Sequence, residues 1–177
     1  MHVLSRQRGV TLIEVLMAVL IFSIGLIGLA GLLVVATHSN QEAYLRTQVA
    51  FLAHNMADRM NANPLGVWAG DYNTTYPSIA AQTCNLSTGC SPSALANYDQ
   101  QMWSSQLKTF LPNPSATIAC TNPATGFVPS TSQLDMRPPY GGNCVMTITW
   151  NERQSGAGVG PTTDTSSNQQ FTWNFQP

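Results

Sequence analysis

With 177 residues, 8% charged side chains and a formal net charge of −1, the chain lacks the basic excess that a nucleic-acid-binding surface needs. Its charged fraction is far below the roughly 25% of an average soluble protein, and Ser, Thr, Asn and Gln carry the polar load, a mix suited to an extracellular surface. Once an apolar segment of about 28 residues is set aside, the remainder has room for one domain with one core.

The chain opens on a short basic leader, residues 1–9, with Arg6 and Arg8 just before Gly9. A long apolar run follows, and from Val15 to Gln41 it holds no charged residue. At about 1.5 Å per helical residue it is long enough to cross hydrocarbon. The basic leader should stay in the cytoplasm and the C-terminal part should face outward. Loss of the leader would leave Arg46, Arg59, Lys108, Arg137 and Arg153 against eight acidic side chains, so the mature product is mildly acidic and direct nucleic-acid binding is not expected. Glu14 is the anomaly of this region, since an acidic side chain in mid-membrane costs roughly 2.5–3.5 kcal/mol and usually marks a function. A cleaved secretory signal is the rival reading: "LVVAT" offers Val34 and Ala36 at small-residue positions and would release a secreted binding domain starting at Thr37. Its apolar core would be too long, however, because an ordinary one has roughly 7–15 residues. Gly25, Gly28 and Gly31 recur every third residue and should soften the rod, while the four-residue spacing of a small-residue dimerisation face is absent.

Helical periodicity continues through "EAYLRTQVAFLAHNMADRM", where Leu45, Val49, Leu52, Met56 and Met60 form a stripe and Glu42, Arg46, Asp58 and Arg59 lie off it. Asn63 and Pro64 should stop this helix, which the pattern places from about Val10 to Asn61. The expected division is leader 1–9, apolar helix 10–38, amphipathic helix 39–62 and outer domain 63–177. Residues 65–90 read as a loop-rich connection. "SPSALANYDQQMWSSQLKTFLP" predicts a second helix capped by Ser91 or Ser93 and ended at Leu111-Pro112, with Leu95, Met102, Trp103, Leu107, Phe110 and Leu111 mostly on one face. Strands are expected in "SATIACT", in "NCVMTITW" with Met146, Ile148 and Trp150 alternating against Val145, Thr147 and Thr149, and in "QQFTWNF". A glycine- and serine-rich hairpin loop should join the last two. The fold class is α+β: a long N-terminal helix, apolar then amphipathic, packed on a small C-terminal antiparallel sheet.

Cys84, Cys90, Cys120 and Cys144 are even in number and lie beyond the apolar run, as an oxidising compartment allows. Three pairings are open; the spacing favours Cys84 with Cys90 across a short turn and Cys120 with Cys144 across two strands. No C-x-x-C pair points to zinc. No catalytic set assembles either: "SQLK", Ser105 to Lys108, spells S-x-x-K without its partner motifs, and His2, His38 and His54 have no metal-ligand spacing. Asn73 and Asn85 head glycosylation sequons that arise easily by chance in so Asn-, Ser- and Thr-rich a chain. Neither an enzyme nor a cofactor or metal site is expected.

The stretch "RGVTLIEVLMAVLIFSIGLIGLAGL" resembles the class III signal of type IV pilins and the related type II secretion pseudopilins. The resemblance implies that a prepilin peptidase cuts after Gly9, that Val10 becomes the N-methylated first residue, and that Glu14 is the glutamate at the fifth mature position. Val10 departs from the phenylalanine that often begins such chains. "LAHNMADRMNANPLGVWAGDY", residues 52–72, is similar to minor pilins that act as pilus modification proteins, and argues against the pseudopilin reading. The implied partners are other major and minor pilins, the prepilin peptidase, the inner membrane before assembly and the pilus assembly platform. The implied outcome is pilus assembly, and through it attachment and twitching motility. Glu14 then acquires a physical role. Cleavage creates a cationic amine at Val10, and a carboxylate is favoured near the positive end of a helix dipole. Within one chain the two groups are four residues apart; between chains, Glu14 of one subunit could meet the Val10 amine of another and set register.

Overall fold

The computed structural model describes residues 9–78, 84, 89–121, 129–136, 139–153 and 166–177. The chain forms two compact units, divided between Gln41 and Glu42. The first is the apolar part of helix α1, Leu12–Ala62, whose large side chains from Leu12 to Val35 are exposed. Among the described residues α1 is the one helix long and apolar enough to cross a membrane. α1 begins two residues later than the apolar pattern suggests and ends one residue later, at Ala62.

In the second unit α1 buries the expected stripe. Val49, Leu52, Met56 and Met60 are wholly inaccessible, Ala53 and Ala57 fill the spaces between them, and Leu45 packs on the margin. Steps of three and four residues place these side chains on one face, and that face covers an antiparallel sheet of order β1-β2-β3-β4. Its strands are β1 Thr74–Tyr76, β2 Ser115–Cys120, β3 Cys144–Arg153 and β4 Ser166–Phe175. Ala116 and Ile118 of β2 and Met146, Ile148 and Trp150 of β3 are buried in the same core, while Thr147 and Thr149 occupy the other face. This period of two is what the sequence "VMTITW" encodes.

The second helix runs Pro92–Phe110; with the short helix Pro64–Trp68 taken as α2, it is α3. Ser91 caps α3, its hydroxyl accepting from the Ala94 amide at 3.2 Å, and extended Leu111 before Pro112 ends it. One expectation fails here. Met102 and Phe110 are 38% and 41% exposed, and Ala96, Asp99, Gln100 and Ser104 take the inward face beside Trp103 and Leu107. The polar members can be buried because each finds a partner: the Ser104 hydroxyl, for example, accepts from the Ser78 amide at 2.8 Å.

The loop expected after Asn63 holds two elements instead. Pro64 stands at the first position of α2, where its missing N–H and fixed φ are no handicap, and the Asn63 side chain accepts from the Gly66 amide at 3.3 Å. β1 is defined by pairing with β2, Thr74 opposite Ile118, and three residues are too few to show periodicity. A second short helix, α4, Thr131–Leu134, starts at a capping box between Ser130 and Gln133. β4 begins at Ser166, three residues before the expected start. The hairpin loop 154–165 lies outside the described residues.

Two disulfides are present, Cys84–Cys90 and Cys120–Cys144. The second has a simple geometric basis. The Thr121 amide bonds the Asn143 carbonyl at 2.8 Å, so the next pair along, Cys120 opposite Cys144, is a non-hydrogen-bonded pair, the type whose side chains approach more closely. Replacing both Cys120 and Cys144 by serine should lower unfolding stability by about 2–4 kcal/mol, since a closure of this size constrains the unfolded chain. Denaturant titration measures the loss, and non-reducing peptide maps check the pairing; a peptide joining Cys84 to Cys120 or Cys144 would contradict it.

Candidate functional site: the processing and assembly segment

Gly9, Val10 and Thr11 precede α1 in exposed, non-helical chain. The Thr11 carbonyl accepts from the amides of Glu14, at 3.1 Å, and Val15, at 3.3 Å, which closes the first turn. Thr11 thereby stands at the N-cap and Glu14 at the third helical position, the T-x-x-E spacing of a capping box. The Gly9–Val10 bond is therefore outside the helix, where a protease can draw it into an extended conformation. A Cβ built on Gly9 meets nothing within 4 Å. The chain's own packing does not require glycine there, so any demand for it comes from an enzyme approaching the backbone closely. Gly9→Phe is expected to leave the precursor uncut; a mature band as intense as wild type on a gel would contradict this.

Glu14 is exposed and sits in the first turn, where four backbone N–H groups lack intrahelical partners. Around it Leu12 is 80% exposed and Ile13 67%. The arrangement is a single carboxylate on an apolar helix surface, beside the positive end of the helix dipole. It can hold a cation, either an amine created at Val10 of the same chain or one brought by a neighbour. The described structure offers Glu14 no cationic side chain of its own domain: the described ion pair is Arg59–Asp99.

That ion pair belongs to a cluster that the sequence pattern did not reveal. Arg59 Nη1 lies 2.9 Å from Asp99 Oδ1, and Arg59 Nε donates to Asn55 Oδ1 at 2.9 Å. The Tyr72 hydroxyl donates to the other Asp99 oxygen at 2.8 Å and accepts from Asn63 Nδ2 at 3.1 Å. Asn63 Nδ2 also donates to the Pro92 carbonyl at 2.8 Å. Gln100 Nε2 reaches the Asp71 carbonyl at 2.6 Å, and Trp103 Nε1 reaches the Leu52 carbonyl at 2.9 Å. Together these bonds tie the end of α1, the α2–β1 connection and the start of α3 into one junction. A Cβ on Gly66 would approach Asn63 Nδ2 at 2.5 Å, so Asn63 can occupy the centre of the junction only beside glycine. Residues 52–72, which carry the minor-pilin resemblance, thus contribute Arg59, Asn63, Gly66 and Tyr72 to this one structure. The available signal was an acid, Asp99, inside the buried 96–100–103–107 spacing of α3.

The junction has a pH signature. Burial, reinforced by the nearby Asp99 charge, pushes the Tyr72 hydroxyl well above its ordinary 10.0; burial does the same for Tyr76 and, more weakly, for Tyr140. Folded values above unfolded ones give a contribution that is complete below pH 10.0 and is lost as pH rises beyond it, when the unfolded phenols ionise first. Stability should hold from neutral pH to about pH 9 and then fall, with a shallower fall in Tyr72→Phe. Urea midpoints along the pH series check this; identical slopes for the two proteins would contradict it.

The other singled-out side chains stay apart from both features. His54 is exposed on α1 with its ring 4.7 Å from that of Trp173, Ser105 and Lys108 are exposed on α3, and Asn73 accepts from the Cys120 amide at 2.9 Å. Asn85 lies outside the described residues.

Comparison with known families now bears on this geometry. The prokaryotic N-terminal methylation motif matches residues 4–30, which include Arg6, Arg8, Gly9, Val10 and Glu14. The type IV pilin Tt1218 family matches the next stretch, residues 31–103, through the second half of α1 and most of α3. The chain is a type IV pilin-like protein. No curated protein and no solved structure gives a significant match. A pilin-like chain belongs with structural subunits, which work by assembling and not by catalysis, and its prepilin motif carries with it pilin partners and peptidase processing. The apolar exposed helix fits a pilin held first in a membrane and later in a pilus. The family match also takes in every residue named in the junction, from Leu52 to Trp103.

Proposed function

We propose that this chain is a minor pilin of a type IV pilus, similar to the pilus modification protein PilV, which helps to initiate or complete pilus assembly and so supports attachment and twitching motility. Prepilin peptidase removes residues 1–9 and the Val10 amine is methylated. Residues 10–38 hold the protein in the inner membrane with the outer domain, 63–177, in the periplasm, and then pack into the filament core. Glu14 meets the Val10 amine of a neighbour and sets register. The observation that carries this reading is the sequence Gly9–Val10–Thr11 standing free and exposed immediately before a helix that continues unbroken from Leu12 to Ala62. The same helix weighs against a secreted domain cut before Thr37, because Thr37 is helical and its hydroxyl bonds the Val34 carbonyl at 2.8 Å. Assembly needs no catalysis from the chain, since burying apolar helix surface yields about 25 cal/mol per Å².

The test is a deletion strain and its complement. Shearing should release fewer pili from the deletion strain, twitching zones should shrink, and the complemented strain should carry the mature chain in its sheared fraction. Normal piliation and motility without the gene would contradict the proposal.

A further inference from the structure

A groove of about 350 Å³ opens between α1 and the β3–β4 pair, lined by Arg46, Trp150, Gln169, Gln170 and Phe171. All five residues belong to the second compact unit, and the volume is that of a small-molecule site, about 300–1,000 Å³. The ladder accounts for the lining. Trp150 stands opposite Gln169 and Ile148 opposite Phe171, so Trp150, Gln169 and Phe171 share the helix-facing side of the sheet. Gln170 lies on the other side and comes to the rim from β4, the edge strand. Arg46 enters from α1, next to Leu45 at the margin of the core.

Three kinds of chemistry meet in this groove. Trp150 and Phe171 supply ring surface, and the indole N–H is already engaged: it donates to Oε1 of buried Glu152 at 2.9 Å, which fixes the ring. Each glutamine has one donor engaged as well, Gln169 Nε2 with Ser167 Oγ at 2.9 Å and Gln170 Nε2 with Thr172 Oγ1 at 3.1 Å. Among the described residues no hydrogen bond ends on the Oε1 of either glutamine, so two carbonyl oxygens are left to accept. Arg46 is the charged member of the lining. It is exposed, and the ion pair among the described residues is Arg59–Asp99, so the Arg46 guanidinium lines the groove without a carboxylate partner.

A molecule that satisfies all three has an anion for the guanidinium fork, hydroxyl donors for the two amide oxygens and a C–H face for the rings. A hexuronic acid carries them on one sugar ring. A neutral sugar leaves Arg46 unpaired, inorganic phosphate has no apolar face, and a glutamate side chain has no donor beside its carboxylate. We propose that the groove binds a hexuronic acid residue of an acidic polysaccharide, with its carboxylate on Arg46, hydroxyls on Gln169 and Gln170 Oε1, and its C–H face on Phe171 beside Trp150. Arginine suits the carboxylate because its planar fork pairs with both oxygens at once. The assignment gives the outer domain a ligand and does not depend on the minor-pilin reading.

The test is a ligand-observed NMR titration of the purified mature chain in mild detergent with trigalacturonate, maltotriose as the neutral probe and triglutamate as the acidic peptide probe. Trigalacturonate should bind with a dissociation constant on the order of 1 mM at low salt, as befits one sugar ring in an open groove, and the other two about tenfold more weakly or less. Arg46→Gln should weaken trigalacturonate about tenfold, the effect of losing a charge-assisted hydrogen-bonded pair. Lys108→Gln removes the same charge from the exposed surface of α3 and should leave the affinity unchanged. Gln170→Leu, on the rim, should weaken binding severalfold. Near-ultraviolet circular dichroism and the Cys120–Cys144 bridge check that each variant is folded. If Arg46→Gln does not fold, Arg46→Lys keeps the charge without the fork and should still weaken binding severalfold. Absence of trigalacturonate binding, or equal affinity of wild type and a folded Arg46 variant, would overturn the site. Triglutamate or maltotriose binding as tightly as trigalacturonate would overturn the proposed ligand, the first in favour of an acidic peptide and the second by removing the role of the carboxylate.

Discussion

Trp103→Ala should lower the unfolding free energy of the outer domain by about 3–5 kcal/mol, the range for removing a buried tryptophan. Trp103 is wholly inaccessible and packs edge-on to Tyr76, with ring centroids 4.8 Å apart and planes at 90°. Its indole N–H also donates to the Leu52 carbonyl, so the side chain both fills the space between α3 and the sheet and bonds to α1. Truncation leaves a cavity lined by several elements that cannot all close at once. Trp103→Phe retains most of the ring and forfeits the N–H, and should cost much less. Urea titration of the mature protein in mild detergent, followed by near-ultraviolet circular dichroism, measures both variants. At about 1–3 kcal/mol per molar urea the alanine variant should unfold one or more molar earlier, and a midpoint equal to that of wild type would contradict the packing account.

Glu14→Gln should leave cleavage, membrane insertion and the fold of the outer domain intact while removing most of the chain from filaments. The amide keeps the size and hydrogen-bonding capacity of the carboxylate but not the charge that an amine at Val10 requires. Nothing in the outer domain depends on Glu14, which is exposed in the first turn of α1 and belongs to the other compact unit. Membrane anchoring should improve slightly, because an uncharged amide is less costly in hydrocarbon than a carboxylate. Mature protein is compared between the inner membrane and sheared filaments in one background. Equal filament levels for Glu14→Gln and wild type would make Glu14 a headgroup-zone residue without a role in register.

The parts of this fold that were legible in the sequence are those with long, simple periods. The stripe from Leu45 to Met60 and the alternation of Val145 to Trp150 each repeat often enough for the buried face to be named beforehand. Short elements were not legible, since α2, β1 and α4 each occupy five residues or fewer and are defined by caps and pairing. Asn63-Pro64 illustrates the ambiguity: the same two residues that end α1 also cap and begin α2. On α3 apolar character does not mark burial: Met102 and Phe110 are exposed, whereas Asp99, Gln100 and Ser104 are buried through partners far away in sequence. Asp99 meets Arg59 across 40 residues, and no local window contains both. The candidate processing segment, by contrast, is local and contiguous, so the proposal for Gly9, Val10 and Glu14 can be made from one short stretch of sequence, which the methylation motif covers. What the structure adds there is the start of α1 at Leu12, which leaves the Gly9–Val10 bond in exposed, non-helical chain.

Intact-mass and N-terminal peptide mass spectrometry of the native mature protein addresses the central claim most directly. A chain that begins at methylated Val10, lacks residues 1–9 and retains the whole apolar segment is the result expected of a processed pilin. A mature chain beginning at Thr37, or one that still carries Met1 to Gly9, would contradict the account.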